Sequence, residues 1–242
     1  KPRVLRYPEH DSLMNALGFP GQGLEAAARR LEATDRATLD TPIVVSIAGT
    51  MVEEVLRCHR RLEPLVDAVE VNISSPNTVG LRVFHEPDAL SELVQRVGDD
   101  RKKPLMVKLP PYPESEANSG DERERVLSLA HACVEQGVDA LTVANSRPTK
   151  DSALSMGTGG LSGRAIFPDM VRMVEDIRSE VGPDIAINAC GGIFSGEDAW
   201  EAIRAGATTV QMYTSLVYRG PTTPRMINQR LLDLMDTVDI DR

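Results

Sequence analysis

Aromatic residues are scarce in this chain. Four Phe, four Tyr and one Trp among 242 residues mean that any large core must be built from aliphatic side chains. Cysteine is scarcer. Cys58, Cys133 and Cys190 are too few and too scattered for a disulfide framework or a zinc site, and a reducing cytosol is the simplest compartment for them. No apolar run approaches the roughly 18 residues of a membrane span. Positive charge is in deficit: 27 basic against 36 acidic residues give a net charge of −9. That balance argues against nucleic acid or an anionic membrane as the main partner, while leaving room for a locally basic pocket. What remains is an ordinary globular composition.

The chain alternates strand and helix patterns. Buried strands are expected at 42–48, 67–74, 104–109, 139–144, 185–189 and 208–212, with helices near 51–62, 88–97, 122–136, after Pro168, after Ser195 and over 224–235. Ser195 and Asp198 are spaced as a variant capping box. Strands with little polar alternation, each followed by a helix, imply a parallel sheet covered on both faces. The expected fold is α/β, a single (β/α)8 TIM-barrel domain spanning residues 1–242. A closed barrel of this type needs eight units and about six are legible. Residues 1–40 hold no convincing barrel strand, so the first two β/α units are expected to be missing from this chain.

Three segments concentrate polar chemistry at strand ends. After the second strand comes Val71-Asn72-Ile73-Ser74-Ser75-Pro76-Asn77-Thr78. Asparagine amides donate and accept, so they suit a planar ligand that shows both, such as a pyrimidine dione. A plain turn is the simpler reading of Asn, Ser and Pro taken alone. Gly159-Gly160-Leu161-Ser162-Gly163 is either a mobile linker or a rigid turn. Gly191-Gly192 and Met212-Tyr213-Thr214 follow the last two strands, where barrel loops frequently grip phosphate. Lys108 closes an apolar strand, a costly place for a charge without a partner.

The run Asn72-Ile73-Ser74-Ser75-Pro76-Asn77 resembles the active-site loop of the dihydroorotate dehydrogenases. The resemblance extends over residues 2 to about 230, through Asn15-Ala16-Leu17-Gly18-Phe19, Gly159–Gly163 and Asn145-Ser146. It implies an FMN-dependent oxidoreductase of pyrimidine biosynthesis that oxidises dihydroorotate to orotate and passes electrons to a quinone or to fumarate. Ser75 falls at the catalytic base, with water or Thr78 as relay. Asn15, Asn72, Asn77, Asn145 and Ser146 fall at substrate positions. Ser46, Asn72, Lys108, Gly163, Gly192, Tyr213 and Thr214 fall at flavin positions, with Lys108 beside the pyrimidine ring and the last four at the phosphate. Asn188 and Asn228 match no site and read as structural.

Departures from the family pattern are Ala144 in place of threonine, Ala189-Cys190 in place of Gly-Val, and Pro20-Gly21 in place of asparagines. Ser75 resembles the membrane-associated, quinone-reducing class, whereas Ser46–Gly49 and Lys108–Tyr112 resemble the soluble, fumarate-reducing class. The electron acceptor, a homo-oligomeric state and peripheral membrane attachment through a segment outside this chain therefore stay open. The alternatives are a related FMN enzyme acting on another pyrimidine or cyclic amide, and a non-catalytic flavin-binding homologue.

Overall fold

The computed structural model describes residues 1–75, 78–112 and 119–237. In chain order the elements are β1 (Val4–Tyr7), β2 (Ser12–Asn15), α1 (Leu24–Glu32), β3 (Val44–Ile47), α2 (Val52–Leu62), β4 (Ala68–Asn72), α3 (Pro87–Asp100), β5 (Leu105–Lys108), α4 (Ser119–Glu135), β6 (Ala140–Val143), β7 (Arg147–Lys150), β8 (Thr158–Gly163), α5 (Phe167–Val181), β9 (Ala186–Cys190), α6 (Gly196–Arg204), β10 (Thr209–Gln211), α7 (Thr214–Arg219) and α8 (Thr223–Thr237).

Six strands form one parallel sheet in the order β10-β9-β6-β5-β4-β3. These are the six expected strands, in the arrangement of a partial barrel, with β3 and β10 at its edges. The outer face buries Val69, Val71, Leu105, Val107, Leu141, Val143, Ile187 and Ala189 against Leu90, Leu93, Val94, Val97, Leu129, Met173, Val174 and Ile177 of the helices. The core is aliphatic, as the shortage of aromatics requires. Ser195 caps α6 with a complete capping box: its hydroxyl accepts from Asp198 N at 3.2 Å, and Asp198 Oδ2 accepts from Ser195 N at 2.8 Å.

Two features differ from the sequence expectation. The parallel strands do alternate: Ser46, Glu70, Lys108, Thr142, Asn188 and Cys190 face away from the helices, so the inner face is polar. And residues 1–15, where no barrel strand is expected, hold two strands of a separate sheet. β1 and β2 form a hairpin that pairs with β8 and β7 in an antiparallel sheet of order β1-β2-β8-β7. Gly159–Gly163 is therefore a strand, set against Ser12–Asn15 in register. That sheet sits beside the C-terminal ends of β9 and β10 and positions the site.

Candidate active site

The ends of β5, β6, β9 and β10, together with β2 and β8, enclose a cavity of about 220 Å³. Eight of the expected site residues line it: Asn15, Lys108, Asn145, Ser146, Gly163, Gly192, Tyr213 and Thr214. They come from separate elements because parallel strands all end on one side of the sheet. Ser46, Asn72 and Ser75 stand outside its wall, and Asn77 lies outside the described residues.

Lys108 ends β5 and sends Nζ to Cys190 Sγ at 3.4 Å. Burial presses hardest against its charge, but Cys190 and Glu70 outweigh burial and hold its pKa above the ordinary lysine value. Ser162 and Thr214 share a hydroxyl hydrogen bond of 2.9 Å, which ties β8 to the start of α7.

Gly163 has φ +96° and Gly192 φ +72°, in the region open mainly to glycine. A Cβ at Gly163 would sit 2.2 Å from Asp11 O, and one at Gly192 would sit 2.5 Å from Phe167 Cβ. Both are thus demanded by the chain's own packing, independent of any ligand. They let two turns lie against β2 and the first residue of α5, which brings their backbones to the cavity wall.

The loop after β4 is tied to the loop after β6. Asn72 Oδ1 accepts from Ser74 N at 3.0 Å and Ser74 Oγ at 2.7 Å, and Asn145 Nδ2 donates to Ser74 Oγ at 2.9 Å. Asn145 Oδ1 accepts from Ser146 N at 2.7 Å. Asn15 Nδ2 reaches Gly160 O at 3.5 Å. Ser75 Oγ lies 3.3 Å from Thr78 Oγ1, within hydrogen-bond reach.

A second, larger cavity of about 620 Å³ lies at the β3 edge, between Val45, Ile47, Phe19, Leu24, Ala27 and Leu81. Ser46 belongs to that side, where its hydroxyl donates to Glu70 Oε1 at 2.8 Å. Sequence reasoning passed over Glu70, Ser162 and Gln211. Glu70 carried a signal, a charge inside an apolar strand, the same one that singled out Lys108. Asn188, read as structural, donates to Thr142 Oγ1 at 3.4 Å.

The sequence profile described as dihydroorotate dehydrogenase matches residues 1–235. A protein of Thermus thermophilus named dihydroorotate dehydrogenase (quinone) is 38% identical over 243 residues, covering 98% of this chain and 68% of that protein. One of the same name from Deinococcus radiodurans is 35% identical over 264 residues, covering 98% and 66%. The crystal structure of a DHODH from Eimeria tenella in complex with ferulenol superposes with a TM-score of 0.86 at 27% identity, over 98% of this chain and 71% of that one. The ligand-free form gives 0.85 at 28% identity, over 99% and 74%. With the profile spanning nearly the whole chain and relatives 35% and 38% identical across 98% of it, this chain belongs to the dihydroorotate dehydrogenase family.

Proposed function

We propose that the protein oxidises dihydroorotate to orotate with FMN as cofactor and a quinone as electron acceptor. The observation that carries this reading is the make-up of the 220 Å³ cavity. In a chain with nine more acidic than basic residues, its described lining offers one cation, amides, hydroxyls and glycine backbone, and no carboxylate. That donor set fits an anionic, many-acceptor ligand such as a flavin phosphate. Gly163, Gly192, Tyr213 and Thr214 would hold the phosphate, and Lys108 would stand by the pyrimidine ring. The quinone follows from the names of the similar proteins and from serine at the base position.

Dihydroorotate loses a proton from C5 and a hydride from C6 as the C5–C6 double bond forms. Bound FMN supplies the two-electron acceptor for that hydride. Ser75 Oγ takes the C5 proton. A serine hydroxyl is a weak base, so Thr78 at 3.3 Å draws the serine proton onward. Asn72 and Asn145, cross-linked through Ser74, hold the two substrate loops at one spacing. The Lys108 charge favours the negative charge that builds up in the transition state.

The test is optical. Purified full-length protein should carry a flavin spectrum, orotate should perturb it, and dihydroorotate should bleach it. A flavin spectrum indifferent to orotate would replace this substrate with another cyclic amide. Absence of flavin after incubation with FMN would overturn the reading.

A further inference from the structure

A directional chain of side-chain hydrogen bonds crosses the inner face of the sheet. Thr209 Oγ1 donates to Asn188 Oδ1 at 2.5 Å, Asn188 Nδ2 donates to Thr142 Oγ1 at 3.4 Å, and Thr142 Oγ1 donates to Glu70 Oε2 at 2.7 Å. From the other side Ser46 Oγ donates to Glu70 Oε1 at 2.8 Å. A hydroxyl has one proton to give, so Thr142, accepting from the amide, must give its own to Glu70. Both carboxylate oxygens thus receive donors, which fixes the carboxylate's position.

Glu70 is 6% exposed and Thr142 fully buried. A carboxylate so placed is costly without a nearby cation. The register supplies one. Glu70 stands opposite Met106, and Lys108 lies two residues on, so Lys108 is its diagonal neighbour on the same face, not in direct contact but near enough for the two charges to act on each other. The hydrogen-bond partner of Lys108 Nζ is the Cys190 sulfur, a weak acceptor, and Cys190 and Glu70 together favour the ammonium over the neutral amine.

We propose that Glu70 is the resident counter-ion that favours the charged form of Lys108 at the cavity wall, with the hydroxyl–amide chain holding the Glu70 carboxylate in position. Glu70 is then a positioning residue, acting through Lys108. Among the described residues the titratable groups on this face are Glu70 from β4, Lys108 from β5 and Cys190 from β9. β3, β6 and β10 contribute the uncharged Ser46, Thr142, Thr209 and Gln211. Its consequence for catalysis rests on the flavin reading of the cavity, whereas the electrostatic coupling of the two groups does not.

The pair can be read directly in flavin-free full-length protein by NMR of ¹³C-labelled lysine, the Lys108 signal being identified by its loss in Lys108→Arg. Glu70→Gln should lower the Lys108 titration midpoint by about one pH unit, a tenfold change in proton affinity, and Glu70→Asp should recover part of it. In FMN-loaded protein the alkaline limb of flavin reduction by dihydroorotate should move by the same amount. Should Glu70→Gln fail to fold, Glu70→Asp is read in its place: the shorter carboxylate stands farther from Lys108, so the midpoint should fall part of the way. An unmoved midpoint in a folded variant of either kind overturns the proposal. A shifted midpoint with an unmoved alkaline limb overturns its link to the flavin alone.

Discussion

The two faces of the parallel sheet follow opposite rules. The outer face is Val, Leu, Ile and Ala packed on helices, and its residues are interchangeable in kind: what counts is volume and shape. The inner face carries Ser46, Glu70, Lys108, Thr142, Asn188 and Cys190, each tied to a particular partner. Adjacent residues of one strand belong to these two regimes, Val107 and Lys108 being one example. A substitution one position along should therefore change the property that fails, from stability to chemistry.

Ser75→Ala is the sharpest probe of the polar side. Removing a general base costs about 10²–10⁴-fold in rate, and the deficit should appear in stopped-flow flavin reduction by dihydroorotate, with reoxidation and orotate affinity unchanged. A reductive rate within about threefold of the parent, far short of that loss, would sink the assignment. On the apolar side, Leu141→Ala should cost about 2–5 kcal/mol of stability, seen as a lower denaturant midpoint. Orotate affinity per folded molecule should stay as it was. A catalytic defect in that variant would blur the division between the faces.

Thr142→Val tests whether the inner chain is structural as well. It leaves Glu70 Oε2 and Asn188 Nδ2 short of a partner, so about 1–3 kcal/mol should be lost. Thr142→Ser, which keeps the hydroxyl, should lose less. Equal losses would mean that the methyl group, not the hydrogen bond, matters.

The smallest effect concerns acid. His59 in α2 is buried, its Nδ1 lacking a partner. Burial pushes its pKa below the ordinary value, against the pull of Glu63. Burial does the same to His85, against its bond to Ile73 O. Both therefore hold a proton less readily in the fold than in the unfolded chain, where histidine titrates near pH 6.5. Stability should thus be full above about pH 6.5 and decline below it, by at most about 1.4 kcal/mol per pH unit for each group. His59→Gln should flatten the decline between pH 6.5 and 5 in urea unfolding. An unchanged slope would remove His59 from the account. The outer layer then carries the acid sensitivity, and the inner face, through Lys108, the alkaline one.

Much of this was legible in one dimension. Runs such as Leu105-Met106-Val107 and Asp139–Ala144 mark buried strands by composition, and Ser195 with Asp198 marks a helix start by spacing. Leu24–Glu32 favours helix by its alanines, leucines and arginines, but its N-cap is Gly23, with no capping side chain to mark the start. The six residues of α7 are too few to show a period. Lys108 and the strand-end asparagines stood out because their chemistry is out of place in an apolar strand or turn.

The sequence by itself determined the order of strands and helices, the aliphatic core and the amides, lysine and glycines at strand ends, because these depend on neighbours a few residues apart. Tertiary structure alone decided the rest. β7 and β8 have a composition that any loop could have, and they are strands because β8 pairs with Ser12–Asn15, some 150 residues distant. Lys108 meets Cys190 only across 82 positions, and Glu70 meets Thr142 only across 72. Which charge is paired, and by what, depends on distances through space that local sequence does not encode.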